Sequence, residues 1–265
     1  MRNIQAQMSQ PQKKPEKSAL ITGAAQRIGR AIALDLADKG WNIVIHCHNS
    51  VEAAGRLATE IESLGSKAIV VQCDLSSSDA AEIIFSRIAG ELEPVTCLIN
   101  NASVFQPDDI NSVSAQSWAL HLDVNLKAPV FLAQSFSRQL GKGVEGNIIN
   151  LIDQRVWKLN PQFLSYTTSK AALWTLTRTL AQALAPEIRV NAIGPGPALP
   201  NKRQARADFD KQIAATLLKR GTNIREICRT IQFILETPAM TGQMIALDGG
   251  QHLAWRTPDV VGIKE

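Results

Sequence analysis

From Ser18 onward, short apolar runs alternate with longer stretches of helical period. Ser18–Thr22, Asn42–His46, Ala68–Gln72, Val95–Asn100, Asn147–Ile152, Arg189–Ile193 and Met244–Leu247 are each bounded by polar or turn residues and mostly β-branched, which predicts seven strands. Between the first two, Ile28, Ile32 and Leu36 recur every four residues, and between the second and third, Ala53, Leu57, Ile61 and Leu64 keep one face. Both patterns predict helices that pack on a sheet. Ser117–Gln139 and Ser165–Ala185 are long enough for two extended helices over its middle. Repeated strand–helix units build a parallel sheet covered on both sides, so the predicted fold is a single-domain α/β, doubly wound parallel sheet. A chain of 265 residues supplies one sizeable core and would cramp a second.

Two stretches depart from the alternation. Residues 1–17 are rich in Gln, Lys and Pro and lack an apolar run, which predicts a disordered tail ahead of a domain over 18–265, and neither a signal peptide nor an anchor. Residues 194–221 open with Gly194, Pro195, Gly196, Pro197 and Pro200 and continue with mixed charge, giving a substrate loop that is either a moving lid or a solvated loop and helix. No segment reaches the eighteen or so apolar residues of a spanning helix, so no membrane association is expected. The net charge of +4 is scattered rather than clustered, which leaves no nucleic-acid footprint. Four cysteines without C-x-x-C spacing exclude the usual zinc site and redox pair; Cys47, Cys73 and Cys97 read as buried thiols, and a reducing cytoplasm fits them.

The first strand runs into Thr22-Gly23-Ala24-Ala25-Gln26-Arg27-Ile28-Gly29 and then into the first helix. A glycine turn between strand and helix lets the backbone approach a pyrophosphate, whose charge the helix N-terminus favours. The second strand ends Ile45-His46-Cys47-His48-Asn49-Ser50, with no carboxylate to take a ribose hydroxyl, as a 2′-phosphate would require. Asp74-Leu75 follows the third strand and Asn100-Asn101-Ala102-Ser103 ends the fourth. Tyr166, the only tyrosine, stands four residues before Lys170, on one face of a helix. An ammonium beside a phenol favours the phenolate and so brings a general acid–base into the working range.

Together these motifs resemble the short-chain dehydrogenases/reductases, over roughly Ser18 to Leu253 and including Asn125 in Asp123-Val124-Asn125 and Asp248-Gly249-Gly250. The resemblance implies catalysis by Tyr166 and Lys170 with Asn125 in support, Lys170 also holding the nicotinamide ribose. It further implies an NADP(H) site built from Gly23, Arg27, Ile28, Gly29, His46, His48, Asn49, Ser50, Asp74, Leu75, Asn101, Ala102, Pro195 and Gly196, a small-molecule substrate and a homotetramer. Arg27 stands where the family usually has a middle glycine, and this turn is similar to that of pteridine reductases, in which the arginine reaches cofactor phosphates and pterin. Asn49 replaces the arginine of their second-strand motif, which removes one charge from the 2′-phosphate site.

Two further positions sharpen this resemblance. Thirteen residues before Tyr166, where most of the family carries a serine, the chain has Asp153. An ionised carboxylate only accepts hydrogen bonds and repels an oxyanion, so it suits a substrate with ring N–H groups and an imine nitrogen to protonate. Ser103-Val104-Phe105 resembles the pteridine reductase segment whose phenylalanine stacks on the flat pterin. The implied activity is NADPH-dependent reduction of a pterin or folate, with Arg27, Ser103, Phe105, Asp153 and Tyr166 binding the substrate. A carbonyl or 3-oxoacyl reductase on the same scaffold, and a non-catalytic NADP-binding regulator, are the alternatives; Asp153 weighs against the first, and intact Tyr166, Lys170 and Asn125 against the second.

Overall fold

The structure is a computed structural model that describes residues 17–92, 94–200 and 203–263. Residues 1–16 of the expected tail lie outside the described residues, and Lys17 already belongs to the first strand. In chain order the elements are β1 (Lys17–Ile21), α1 (Arg27–Asp38), β2 (Trp41–Cys47), α2 (Val51–Ser63), β3 (Ala68–Gln72), α3 (Ala80–Ile88), β4 (Val95–Asn100) and α4 (Ala115–Leu122). A π turn (Asp123–Lys127) then leads into α5 (Ala128–Gln139), β5 (Gly146–Leu151), α6 (Leu164–Ala183), β6 (Ile188–Pro195), α7 (Arg206–Ala214), α8 (Ile224–Glu236) and β7 (Met244–Leu247).

All seven strands pair in parallel, in the order β3-β2-β1-β4-β5-β6-β7. The chain winds outward from β1 to β3, returns to β4 beside β1, and winds outward again. That reversal leaves a crevice at the carboxyl ends of β1 and β4, where open sheets of this class bind ligands. Alternation along the strands feeds two cores. Ala19, Ile21, Ile43 and Ile45 face α1, α2 and α8, whereas Leu20, Val44, Leu98 and Ile148 face α3, α5 and α6. Every residue of β2 is buried, as a strand covered on both faces requires.

The expected strands are present with ends displaced by no more than two residues; the helices differ more. The stretch expected as one helix over 117–139 is broken into α4, the π turn and α5, and it starts at Ser114, whose hydroxyl forms a capping box with Ser117. Leu64 caps α2 instead of extending its buried face, and is 47% exposed. The hydrophobic pattern alone does not pick out α3, α7 and α8. For α8 a signal is nonetheless present, since Ile227, Ile231 and Ile234 share a buried face and Asn223 with Glu226 forms the starting box.

One polar chain crosses the second core. Asn100 donates to Asn150 Oδ1 at 2.8 Å, and Asn150 donates to Thr177 Oγ1 at 2.9 Å, tying β4, β5 and α6 behind the crevice. All three residues are buried, so removing the middle one strands its neighbours without water. Asn150→Ala should therefore destabilise the fold by about 1–3 kcal/mol in urea unfolding; a loss under about 0.5 kcal/mol, the range of an ordinary surface change, would show that the chain contributes no net stability.

Candidate active site

The turn after β1 is held by contacts to the two neighbouring strand ends. Thr22 Oγ1 accepts from the backbone N–H groups of Asn101 and Ala102 at 2.9 and 3.0 Å, while Asn101 Nδ2 donates to the carbonyls of Thr22 and Gly23 at 2.8 and 3.1 Å. A Cβ at Gly29 would lie 2.4 Å from Gly23 O and 2.6 Å from Asn101 Nδ2, so only glycine lets α1 start this close to β4. Gly23, at φ 62°, also needs its freedom.

His46 lines the cavity at the end of β2 and also braces the turn. Its Nδ1 accepts from Gly23 N–H at 3.1 Å, which places the ring proton on Nε2, 3.2 Å from Cys73 O. Both ring nitrogens are thus engaged within the protein, and His46 braces the turn. Burial pushes its pKa down to about 4, leaving a neutral imidazole near pH 7.

Beyond this brace lies a cavity of about 480 Å³ lined by the turn, by Ile28, His48, Asn49, Ser50, Asp74 and Leu75, and by Asn101, Ala102 and Ser103. His48 and Asn49 are exposed at its rim, and Ser50 Oγ accepts from Gln26 Nε2 at 3.3 Å. Hydrogen bonds from Ser76 hold Asp74 below the usual carboxylate range despite some burial, and His48 Nε2 stands 3.8 Å from its Oδ2. The glycine cradle, the free rim at the end of β2 and the hydrophobic side of Leu75 and Ile28 fit the adenosine and pyrophosphate half of a dinucleotide.

A second cavity, of about 620 Å³, shares Arg27, Ile28, Asn101 and Ser103 with the first, so the two form one cleft across the carboxyl edge of the sheet. Tyr166 stands in its wall and donates its phenolic proton to Asp153 Oδ2 at 2.9 Å. Asp153 Oδ1 accepts from Arg155 N–H at 2.9 Å, and the Arg155 guanidinium lies 3.9 Å from Oδ2. Lys170 Nζ donates to Leu151 O at 2.8 Å and lies 5.9 Å from the Tyr166 ring centroid. Phe105 meets Tyr166 edge-on, with centroids 4.6 Å apart. Pro195 and Gly196 close the far side, and a Cβ at Gly196 would meet the Asp248 backbone at 2.7 Å.

The electrostatics of this wall reverse one expectation. The spacing of Lys170 from Tyr166 predicts a lowered phenol pKa, yet burial, and after it the charge of Asp153, push Tyr166 well above its ordinary value. In the free protein the phenol is therefore a firmly held proton, aimed at a carboxylate. Burial also raises Asp153, against the pull of the Arg155 backbone and guanidinium, and pushes Lys170 down to about 8. The Asn125 side chain serves to position the wall: it grips Val104 through both backbone groups, at 2.8 and 3.0 Å, and donates to Ser169 Oγ at 3.0 Å. Its place in the π turn, where the helix bulges, is what brings it to the strand end.

Arg27 joins the two cavities. It adopts φ 55°, unusual for a residue that carries a side chain, and its guanidinium donates to Pro200 O and Leu199 O at 3.1 and 3.4 Å. The loop after β6 is thereby drawn over the cleft, and α7 adds Asp208, Phe209 and Gln212 to the lining. Three other wall residues are not among those the sequence points to. Phe163, left-handed at φ 61°, stacks on Phe105 with centroids 4.4 Å apart. Arg155 covers both rings at 5.6 and 5.0 Å, and Arg203 lies 5.8 Å from Phe105 and donates to its carbonyl at 2.7 Å. Only Arg155 carries a signal in the sequence, two residues after the unusual aspartate.

Residues 17–211 match the short chain dehydrogenase family. The chain belongs to that family. It superposes on the crystal structure of FolM alternative dihydrofolate reductase 1 from Brucella canis complexed with NADP, with TM-score 0.87 and 48% identity, covering 92% of this chain and 97% of that one. The Brucella suis FolM protein, also in complex with NADP, matches with the same TM-score and identity over 92% of this chain and 98% of its own. In sequence the chain is 31% identical over 242 residues to the 3-oxoacyl-(acyl-carrier-protein) reductase FabG of Staphylococcus epidermidis, covering 89% of this chain and 99% of that protein. This short-chain reductase is an NADPH-dependent oxidoreductase, and the cleft described above is of the right chemistry for its cofactor. Among the described residues no helix is long and apolar enough to cross a membrane.

The neutral, buried His46 makes the phosphate turn sensitive to acid. Its pKa falls from 6.5 in the unfolded chain to about 4 in the fold, so between those values only the unfolded chain takes up the proton. Stability is then complete above pH 6.5 and is lost as pH falls through that window, by up to about 3 kcal/mol. Urea midpoints measured from pH 7.5 to 4 should show this slope in the parent and lose it in His46→Asn. A slope that survives the substitution would assign the titration to another group.

Proposed function

We propose that this enzyme reduces a C=N bond in the ring of a dihydropteridine- or dihydrofolate-type substrate. The observation that carries the reading is the 2.9 Å hydrogen bond from Tyr166 to Asp153 in the wall of a cavity that also presents the Phe105 ring. An ionised carboxylate at this place accepts hydrogen bonds, as a ring amide or exocyclic amino group would offer, and gives nothing to a carbonyl oxygen that gathers negative charge. The 48% identity to the FolM alternative dihydrofolate reductase supports the same substrate class.

The turn of Gly23 to Gly29 and the residues lining the first cavity would hold NADPH, which when bound would supply the hydride. The protein's part is to place the ring and to deliver one proton. Phe105 offers an aromatic face, while Arg27 and Ser103, which line both cavities, would contact substrate and cofactor alike. Asp153 anchors ring donors, and Tyr166 gives up its phenolic proton to the ring nitrogen as the C=N carbon is reduced. The phenolate so formed would stand beside a carboxylate, and Lys170 with Arg155 offsets that charge. Once the product leaves, Tyr166 recovers its proton from solvent entering the cavity it lines.

A 3-oxoacyl reductase, the activity named for the 31% identical FabG, would use the same tyrosine and lysine. It would favour a hydroxyl donor at position 153, where Asp153 repels the developing oxyanion.

The assay that decides between them is NADPH oxidation with dihydrobiopterin, dihydrofolate and a 3-oxoacyl thioester. The first two should be turned over and the thioester should not; turnover of the thioester alone would overturn the reading. Tyr166→Phe should still bind NADPH yet lose at least about a hundredfold in kcat, the lower range for a general acid. Asp153→Ser should lose about tenfold to a thousandfold in pteridine reduction, on the scale of a lost charged hydrogen bond. Parent-like rates in that variant would leave Asp153 as a loop residue without a part in recognition.

A further inference from the structure

Helix α6 carries both Tyr166 and Lys170, and it begins without a cap of its own. Its N-cap residue, Phe163, is left-handed and has no side-chain acceptor. The acceptors come instead from Asp108, 57 residues earlier in the chain, on the loop that follows β4. Asp108 O accepts from Leu164 N–H and its Oδ1 from Ser165 N–H, both at 3.1 Å. A carboxylate at this end of a helix is favoured by the free N–H groups and by the dipole.

The same carboxylate ends a buried chain of hydrogen bonds whose direction can be read from a backbone group. Gln106 N–H donates to His121 Nε2 at 3.1 Å, so the ring proton is on Nδ1. Nδ1 lies 2.7 Å from Ser165 Oγ and 2.9 Å from Ser117 O, and it donates to both. Ser165 Oγ, an acceptor from histidine, must then give its own proton to Asp108 Oδ2, with which it is in hydrogen-bond contact. His121 and Ser165 are fully buried and Asp108 nearly so. Despite its residue types this is no nucleophilic triad: the histidine donates to the serine rather than taking its proton, and the carboxylate touches the serine instead of the imidazole.

The two ends of the chain are what give it a part in the reaction. Gln106 directly follows Phe105, and Ser165 directly precedes Tyr166. We infer that Asp108, Ser165 and His121 are positioning residues that fix the angle and distance between the aromatic platform of Phe105 and the phenol of Tyr166. That geometry, centroids 4.6 Å apart and rings at 69°, joins two segments that are not neighbours in the sheet, and this network crosses directly between them. Its effect on turnover rests on the pteridine-reduction reading, but its effect on the phenol does not.

The test uses Asp108→Asn and Ser165→Ala in the full-length protein. Because Tyr166 is the only tyrosine, the absorbance of a phenolate after a rapid jump to alkaline pH reports that residue alone, before the chain unfolds. The titratable and charged groups facing it are Asp153, Lys170 and Arg155, with the His121 ring edge-on at 6.2 Å, and neither variant replaces any of them. NADPH affinity, measured by nucleotide fluorescence, should stay within about threefold of the parent, since the phosphate turn lies apart from the network. The phenol should titrate lower, toward its ordinary value, as the loosened first turn of α6 admits water. With dihydrobiopterin, kcat should fall by about tenfold or more with a smaller change in KM, the scale set by an ångström-level misplacement at the reacting groups. A lowered melting temperature with an unchanged phenol titration and unchanged kcat would make the network a plain helix cap and overturn the inference. Should Asp108→Asn fail to fold, Ser165→Ala, which leaves the backbone cap in place, decides alone. If the parent does not reduce dihydrobiopterin, the substrate reading fails, and the phenol titration still tests the network on its own.

Discussion

The site depends on one close approach, that of the first turn to the end of β4. Parallel pairing of β1 with β4 sets Thr22 beside Asn101, and four hydrogen bonds between residues 22–23 and 101–102 hold them there. The absence of a side chain at Gly29 lets α1 begin against that junction. Everything downstream takes its position from this contact. One cavity opens on one flank of it and the second, holding Tyr166 and Asp153, on the other, and the residues common to both, Arg27, Ile28, Asn101 and Ser103, are the junction itself or its immediate neighbours.

A second constraint is electrostatic. The wall holding Tyr166, Asp153, Lys170 and Arg155 is too dry for any of these charges to be indifferent to the others. Burial alone would favour neutral acids and a neutral amine, and the directions found follow that order: the phenol and carboxyl are raised and the ammonium is lowered. The paired cations moderate the cost to Asp153 without abolishing it. In such a wall the phenol holds its proton firmly and directs it at the neighbouring carboxylate.

Much of this is legible in the chain because it is periodic or local. Strand runs buried on both faces are read from unbroken apolar stretches, and the cofactor turn from glycine spacing between a strand and a helix. Tyr166 and Lys170 meet because four residues make one helical turn. Asp153 is visible as a departure from a family pattern. The rest depends on distance in sequence or on backbone states with no residue signature. Phe163 at φ 61° looks like any loop phenylalanine, and its stack on Phe105 joins segments 58 residues apart. Asp108 reads as a turn residue, since the helix it caps comes much later. His46 lines the cavity at the expected strand end, but its bracing of the turn is hidden, because a sequence does not tell whether an imidazole points outward to an anion or inward to a backbone N–H. The sign of the Tyr166 shift escapes the sequence for a similar reason: spacing brings the ammonium near, and only burial decides which influence prevails.

The π turn at Asp123–Lys127 has a consequence for how this sequence can vary. A π turn is an α-helix that carries one residue more than its hydrogen bonding needs. Exchanging Asn125 would cost its three contacts to Val104 and Ser169, a local loss. Deleting a single residue from the segment would instead restore a regular helix, with α4 and α5 keeping their faces and the bulge that presents Asn125 removed. Relatives with a one-residue gap here would have lost the bulge and the asparagine's grip together, and would have to hold the loop after β4 by some other means.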